Sequence, residues 1–168
     1  SNYDPIVFSA GNTATVSILM MENFTVANEG SNLLSFNVLP IDLTLTNVVS
    51  AFEDNIYQII GQGVAAINNG DGNWMGSLTT IEPENGYWID FQNEGVAMVT
   101  GYPLNPDMLY NVDCGWEGSC VSLVSYAPNQ VAEISEAIPD DVEEYFEYII
   151  SAGVVAIQIE DGEWEGSL

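Results

Sequence analysis

Carboxylates are the side chains with the most capacity for chemistry in this chain, and they are densest over residues 140–147. Five of these eight residues are acidic. Oxygen ligands of this kind suit Ca²⁺, but the spacing differs from that of an EF-hand loop, so a solvated acidic face is the alternative interpretation. We therefore expect no cofactor beyond Ca²⁺ or other cations held as counter-charge. The candidate metal ligands are Asp140, Asp141, Glu143 and Glu144.

The two cysteines, Cys114 and Cys120, enclose a short loop that contains two glycines. Glycine lets the chain fold back tightly, so the pattern favours a disulfide over a zinc site, which would need two further ligands. Trp116 in this loop is the best candidate for an exposed aromatic ring that stacks on a sugar. Asn23 begins the sequon Asn-Phe-Thr and is a candidate glycosylation site if the producing cell glycosylates.

Basic side chains are absent: the 168 residues contain no Lys, Arg or His and 25 Asp and Glu, so the formal net charge is −25. Nucleic-acid binding depends on basic residues that neutralise phosphates, and an anionic surface repels anionic lipid, so both are excluded as partners. Histidine triads and Schiff-base lysines are impossible, and no pair of carboxylates stands out for glycoside hydrolysis. The chain is therefore predicted not to be an enzyme, and its lack of trypsin sites predicts resistance to trypsin.

The elements that would position these residues belong to an internal repeat. Residues 61–67 (GQGVAAI) match residues 152–157 (AGVVAI), and residues 74–78 (WMGSL) match residues 164–168 (WEGSL). Both matches fall in register at an offset of 90 residues. A match over two separated motifs with one offset indicates two tandem homologous units.

Each unit is predicted to contain strands around one short helix, so the fold class is mainly β with an α+β tendency. Asn69 to Gly72 is an Asn/Asp-Gly turn between apolar runs, which is typical of a tight hairpin. Thr44 or Thr46 in the first unit and Ser135 in the second are candidate helix N-caps. The predicted strands are 33–39, 55–60 and 63–68 in the first unit, 121–126, 145–151 and 153–159 in the second, and a hairpin of 86–91 with 96–99.

Tryptophans recur at equivalent repeat positions, which favours a structural role. Trp74 and Trp164 are predicted to be core residues, and Trp88 is predicted to be buried in an apolar strand. The domain organisation that follows is an N-terminal strand segment at 1–31, a first unit at 32–100, a connector with the cysteine loop at 101–119, and an incomplete second unit at 120–168.

The motifs GxGVAA, GxWxGSL and GYW resemble a β-rich repeat found in secreted and surface proteins of marine bacteria and in virion structural proteins of marine phages. The residues that carry the resemblance are 61–67, 73–78 and 86–88, and it covers about two-thirds of the chain. The resemblance implies an extracellular, virion-surface or cell-surface building block and no catalytic residues. Those repeats contain basic residues, so their absence here is a departure from the pattern.

The second unit lacks counterparts of residues 86–99, and this predicts a sheet with an unpaired edge. Apolar segments that precede the first unit are candidates to fill it, either within their own chain or in a neighbour. The neighbour is favoured, which would join subunits head to tail into a filament. The predicted function is a structural subunit of an extracellular fibre or surface assembly; a glycan- or divalent-cation-binding module and an engineered cation-free protein are the alternatives. The candidate assembly residues are Ile6, Val7, Phe8, Val16 and Ile18.

Overall fold

A computed structural model describes residues 20–26, 29–105, 108–110, 121–125, 132–138, 140–151, 154–159 and 163–166. These residues form three antiparallel sheets and a few short helices, so the prediction of a mainly β fold is confirmed. The strands are β1 (Met20–Val26), β2 (Gly30–Leu34), β3 (Val38–Leu39), β4 (Ile56–Gly61), β5 (Val64–Asn68), β6 (Trp74–Gly76), β7 (Tyr87–Phe91), β8 (Gly95–Pro103), β9 (Tyr148–Ser151), β10 (Val154–Gln158) and β11 (Trp164–Gly166). The helices are α1 (Leu45–Val49), α2 (Ile134–Ala137) and α3 (Asp140–Glu143), with a 3-10 turn at Glu53–Asn55.

The largest sheet has five strands in the order β2-β7-β4-β5-β6. Its interior strand β7 alternates strictly: Tyr87, Ile89 and Phe91 are buried, and the residues between them face outward. This period of two is that of a sheet with one face on a core and one in solvent. The sheet therefore has an inner face that needs a cover.

Helix α1 and the segments on either side of it provide that cover. Leu45, Val48 and Val49 of α1 are buried in the same apolar cluster as the inward residues of the sheet. Phe52 follows the helix and stacks on Phe91 with ring centroids 6.2 Å apart. Thr44 lies at the N-cap position, as predicted, but its side chain makes no capping hydrogen bond. The helix is held by burial of its apolar face more than by its cap.

A second sheet has the order β1-β8-β3, and it corrects two strand predictions. Strands β7 and β8 do not form a hairpin with each other, because β8 pairs with β1 and β3 instead. Asn55 contacts the chain where it passes from one sheet to the other: its side chain accepts a hydrogen bond from the Asn93 N–H (3.0 Å) and donates one to the Asn93 carbonyl (2.9 Å). The chain turns a corner there, and the predicted strand 33–39 is divided between the two sheets in the same way.

Strand β1 lies in the range that the sequence assigns to an N-terminal segment. All seven of its residues pair with β8, from Met20 opposite Gly101 to Val26 opposite Gly95. Residues 20–26 therefore belong structurally with the strands of the first unit. In the described part of the chain, no helix has the length and apolarity needed to cross a membrane.

The third sheet, β11-β10-β9, lies in the segment that the sequence predicts to be a second unit. Two helices precede it where one was predicted, because Ile138 is extended and ends α2. A residue before proline favours that conformation. Ser135 lies inside α2 and is not its N-cap, which is Glu133. Residues 121–125 form no strand of this sheet; Val124 bridges Asn85 instead.

Candidate functional site

The β9-β10-β11 sheet reproduces part of the five-stranded sheet at an offset of 90 residues. Ile59 pairs with Ala66 between β4 and β5, and Ile149 pairs with Ala156 between β9 and β10. The pairing of β5 with β6 corresponds in the same way to that of β10 with β11, since Ala66 lies opposite Gly76 and Ala156 lies opposite Gly166. Every residue pair that joins β9, β10 and β11 has its counterpart at this offset in β4, β5 and β6.

Two glycines show why the geometry is shared. Gly76 has a φ of 147° and Gly166 a φ of 155°, values that residues with a Cβ rarely adopt. A Cβ added at Gly76 would lie 2.1 Å from the Ala65 carbonyl oxygen, and one at Gly166 would lie 2.1 Å from that of Val155. In each sheet the return strand can approach its neighbour only through a glycine.

Side-chain hydrogen bonds also correspond. The Asn68 amide donates to the Glu53 carbonyl at 2.8 Å, and the Gln158 amide, 90 residues later, donates to the Glu143 carbonyl at 3.1 Å. Each contact ties its strand, β5 or β10, to the 3-10 turn or helix that precedes the neighbouring strand, β4 or β9. The two segments therefore share more than strand pairing.

The two sheets differ at one edge. Strand β4 is covered by β7, with Ile59 opposite Ile89 and Ile60 opposite Trp88. Strand β9 has β10 as its one partner among the described residues, so its other side, which we name the β9 edge (Tyr148–Ser151), has no strand on it there. An edge of this kind presents backbone N–H and C=O groups that a further strand can pair with.

Burial follows the same difference. Ile59 is fully buried, whereas its counterpart Ile149 is only partly buried. Ile60, beside Trp88, is 38% exposed, and its counterpart Ile150 is 59% exposed. Among the described residues, the β9 edge therefore has less apolar cover than β4, and no second strand lies on it. The sequence predicts a missing strand in this unit but does not identify these acceptor residues, although the offset of 90 residues points to them.

Within the acidic cluster, the structure describes one carboxylate contact. The Glu143 carboxylate accepts a hydrogen bond from the indole N–H of Trp164 at 2.6 Å, so it faces a donor within the protein. Asp140 and Glu144 are exposed, and Asp140, Asp141 and Glu143 all lie in the single turn of α3. Within the described ranges, no three acidic, cysteine or histidine side chains are grouped so as to hold a metal ion.

The other predicted site residues have different outcomes. Asn23 lies in β1 opposite Met98. Trp74 is half-buried against the main core, and Trp164 is half-buried too. The prediction for Trp88 is wrong: its side chain is 36% exposed on the outer face of the sheet, because its neighbours Tyr87 and Ile89 take the inward positions. The predicted residues outside the described ranges are Ile6, Val7, Phe8, Val16, Ile18, Cys114, Trp116 and Cys120.

Tyr87 is the most buried aromatic residue of the five-stranded sheet, at 1% exposure. Its hydroxyl oxygen accepts a hydrogen bond from the Glu82 N–H at 2.8 Å. Its ring lies against Gly61, where an added Cβ would be 3.0 Å from the ring carbon Cε1. Burial raises the pKa of the Tyr87 hydroxyl, and hydrogen bonds from the Glu82 backbone and Asn85 oppose that rise more weakly.

Replacing Tyr87 by Phe is expected to destabilise the protein by about 1 kcal/mol at pH 8, because the Glu82 N–H loses its acceptor. The hydroxyl titrates near 10.0 when unfolded and higher when folded, so its stabilising contribution is complete below pH 10 and is lost as the pH rises through the folded value. Urea unfolding at pH 8 and pH 10.5 should show the difference between wild type and Tyr87→Phe shrinking. Tyr57, which is 54% exposed, supplies the control variant Tyr57→Phe. A difference for Tyr87→Phe that is constant across this range would contradict the assignment.

The chain matches no protein-family model, and neither the curated proteins nor the solved structures contain a match to it.

Proposed function

We propose that this chain is a structural subunit of an extracellular fibre or of a virion or cell-surface assembly. In this proposal it consists of two tandem copies of one unit, and subunits join head to tail when a strand from one copy completes the second unit of the next. One observation carries the proposal: the β9 sheet has the strand registers of β4-β5-β6 but lacks, among the described residues, the strand that β7 supplies to β4.

Electrostatics restrict how copies of this chain can associate. A net charge of −25 with no basic side chain makes any two anionic surfaces repel each other. Backbone hydrogen bonds at a sheet edge need no charge complementarity, and they are directional. Ile150 at 59% exposure and Tyr148 at 43% add apolar area at that edge. Strand addition is therefore the mode of self-association that this composition opposes least.

The strand donors are the apolar segments that include Ile6 to Phe8 and Val16 to Ile18. A donor that enters a neighbour, which in turn donates to the next copy, makes a contact that does not close on itself and so builds a filament. An extracellular or virion-surface location agrees with a chain that lacks basic side chains and trypsin sites.

Deletion of residues 1–19 tests the proposal. The deletion stops before Met20, because β1 is needed on β8. The full chain should form filaments in negative-stain electron microscopy and large species in light scattering, and the truncated chain should remain monomeric with an unchanged near-ultraviolet circular dichroism spectrum. If the truncated chain forms the same particles, donation by this segment is refuted. A full chain that stays monomeric and binds glycans or Ca²⁺ would support a binding module instead.

A further inference from the structure

We propose that residues 14–18 of one copy are the strand that pairs with the β9 edge of the next copy, in the register that β7 adopts on β4. This inference rests on the proposed function. It names the donor strand, the acceptor residues and the feature of the β9 edge that favours this donor over other strands. The edge of β4 that corresponds to the β9 edge is paired with β7. The pairing of β7 with β4 therefore indicates which kind of strand the β9 edge would accept.

Strand β7 defines what an occupant must provide. Along Tyr87–Phe91 the first, third and fifth side chains are buried and the second and fourth face outward. Its register on β4 places Ile89 opposite Ile59 and Phe91 opposite Ile56. An occupant of the β9 edge therefore needs five residues with apolar side chains at the first, third and fifth positions.

Residues 14–18, which read Ala-Thr-Val-Ser-Ile, satisfy this alternation completely. Residues 4–8, which read Asp-Pro-Ile-Val-Phe, place a carboxylate at the first position, which faces inward. They place a proline at the second position, which faces outward, and proline cannot donate to a strand ladder. Residues 6–10, which read Ile-Val-Phe-Ser-Ala, also alternate, but they begin with the branched Ile6, whereas residues 14–18 begin with the small Ala14. The alternation and the small size of the first inward residue together select residues 14–18. Met20, where β1 begins, follows Ile18 by two positions, so the donated strand leaves the molecule from a strand that β8 already holds.

The register of β7 on β4, shifted by 90 residues along the acceptor strand, assigns the contacts between residues 14–18 and the second sheet. Val16 lies opposite Ile149, in the place of Ile89 opposite Ile59. The outward Thr15 lies beside Ile150, as Trp88 does beside Ile60. Ile150 is then expected to lose exposure, from 59% toward the 38% of Ile60. The remaining contacts by this rule are Ser17 with Tyr148 and Ile18 with Phe146.

One difference between the two edges selects the donor by size. In the filled site, Gly61 leaves room for the ring of Tyr87, because a Cβ at position 61 would be 3.0 Å from Tyr87 Cε1. The residue 90 positions later is Ser151, which has a Cβ. A strand with tyrosine at its first inward position, such as β7 of another copy, is therefore crowded at the β9 edge. Ala14 has the small side chain that this position accepts.

A pair of charge-matched substitutions in the full chain tests the register. Val16→Asp puts a carboxylate at an inward position and should raise the critical concentration for assembly by roughly tenfold or more. Thr15→Asp adds the same charge to the outward face and should change it by less than roughly threefold. Equal effects of the two substitutions would overturn the register.

A second pair tests the size selection at Ser151. Ala14→Tyr should raise the critical concentration roughly tenfold, because the added ring overpacks the site. Combining Ala14→Tyr with Ser151→Gly should return it to within about threefold of Ser151→Gly alone, since the glycine recreates the Gly61 geometry. Failure of Ser151→Gly to rescue Ala14→Tyr would show that Ala14 does not face Ser151.

Mixing experiments separate donation to a neighbour from closure within one chain. A Val16→Asp chain keeps its acceptor edge and loses its donor, so substoichiometric amounts should shorten wild-type filaments. Unchanged filament length would overturn donation between copies. If filaments form but none of these substitutions affects them, the proposed function stands and this inference fails. If no filaments form but a synthetic peptide of residues 11–19 protects Tyr148–Ser151 from amide exchange, the assigned contact stands and the proposed function fails.

Discussion

A single methyl group at Gly76 is expected to destabilise the five-stranded sheet by about 3–5 kcal/mol, the sum of backbone strain and overpacking at this site. The backbone of Gly76 has a φ of 147°, and an added Cβ would lie 2.1 Å from the Ala65 carbonyl oxygen and 2.9 Å from the Ala66 Cα. Those neighbours are backbone atoms of β5, which cannot rotate away as a side chain can. The return strand β6 would have to leave the sheet.

Gly166→Ala should break the equivalent contact in the β9 sheet and leave the first unit folded. Urea unfolding and amide exchange of both variants should show a lower global midpoint for Gly76→Ala and faster exchange confined to residues 154–166 for Gly166→Ala. Gly95→Ala is the control, because an added Cβ there meets no atom within 4 Å, and its effect should stay within about 0.5 kcal/mol. An unchanged midpoint for Gly76→Ala would contradict the close approach of β5 and β6.

The equivalent isoleucines Ile59 and Ile149 are expected to respond very differently to truncation. Ile59→Ala should cost about 3–4 kcal/mol, as for other fully buried isoleucines, because the cavity left beside Ile89 cannot collapse. Ile149→Ala should cost less than half of this in the unassembled chain, since Ile149 is only partly buried without a strand on the β9 edge. Urea unfolding below the assembly concentration measures both.

Comparing Ile59→Ala with Ile149→Ala also tests whether a strand already covers the β9 edge. Under assembling conditions Ile149→Ala should weaken filament formation, because the donated strand covers this side chain in the proposed contact. Equal costs for Ile59→Ala and Ile149→Ala in the monomer would mean that the edge is already filled within one chain. That result would count against head-to-tail donation.

Local sequence signals predicted the hairpin of β5 and β6 well. The turn before Trp74 lies between β5 and β6, as expected, and Gly70, Asp71 and Gly72 all have positive φ there. Asn, Asp and Gly adopt such angles at the lowest cost, so the turn is encoded by residues adjacent in the chain. The strand limits of β4 and β5 fall within one residue of the predicted 55–60 and 63–68 for the same reason.

Signals that depend on distant residues were missed. Three apolar residues in a row, Tyr87 to Ile89, do not reveal which of them face inward; Gly61, far away in sequence, makes room for Tyr87 and leaves Trp88 outside. The sequence likewise predicts a hairpin of 86–91 with 96–99, which is wrong. The side chain that contacts the connecting residue Asn93 belongs to Asn55, which is distant in sequence.

The amino-acid sequence by itself determined the charge of the protein, the mainly β character and the spacing of 90 residues between matching motifs. These follow from composition and from neighbours along the chain. Tertiary structure alone decided which edges of the sheets are covered and which faces are buried. A strand edge is paired, and a sheet face is buried, by residues from distant positions in the chain, as β7 and β4 are. The free energy of these contacts therefore depends on the complete folded structure and not on neighbouring residues in the sequence.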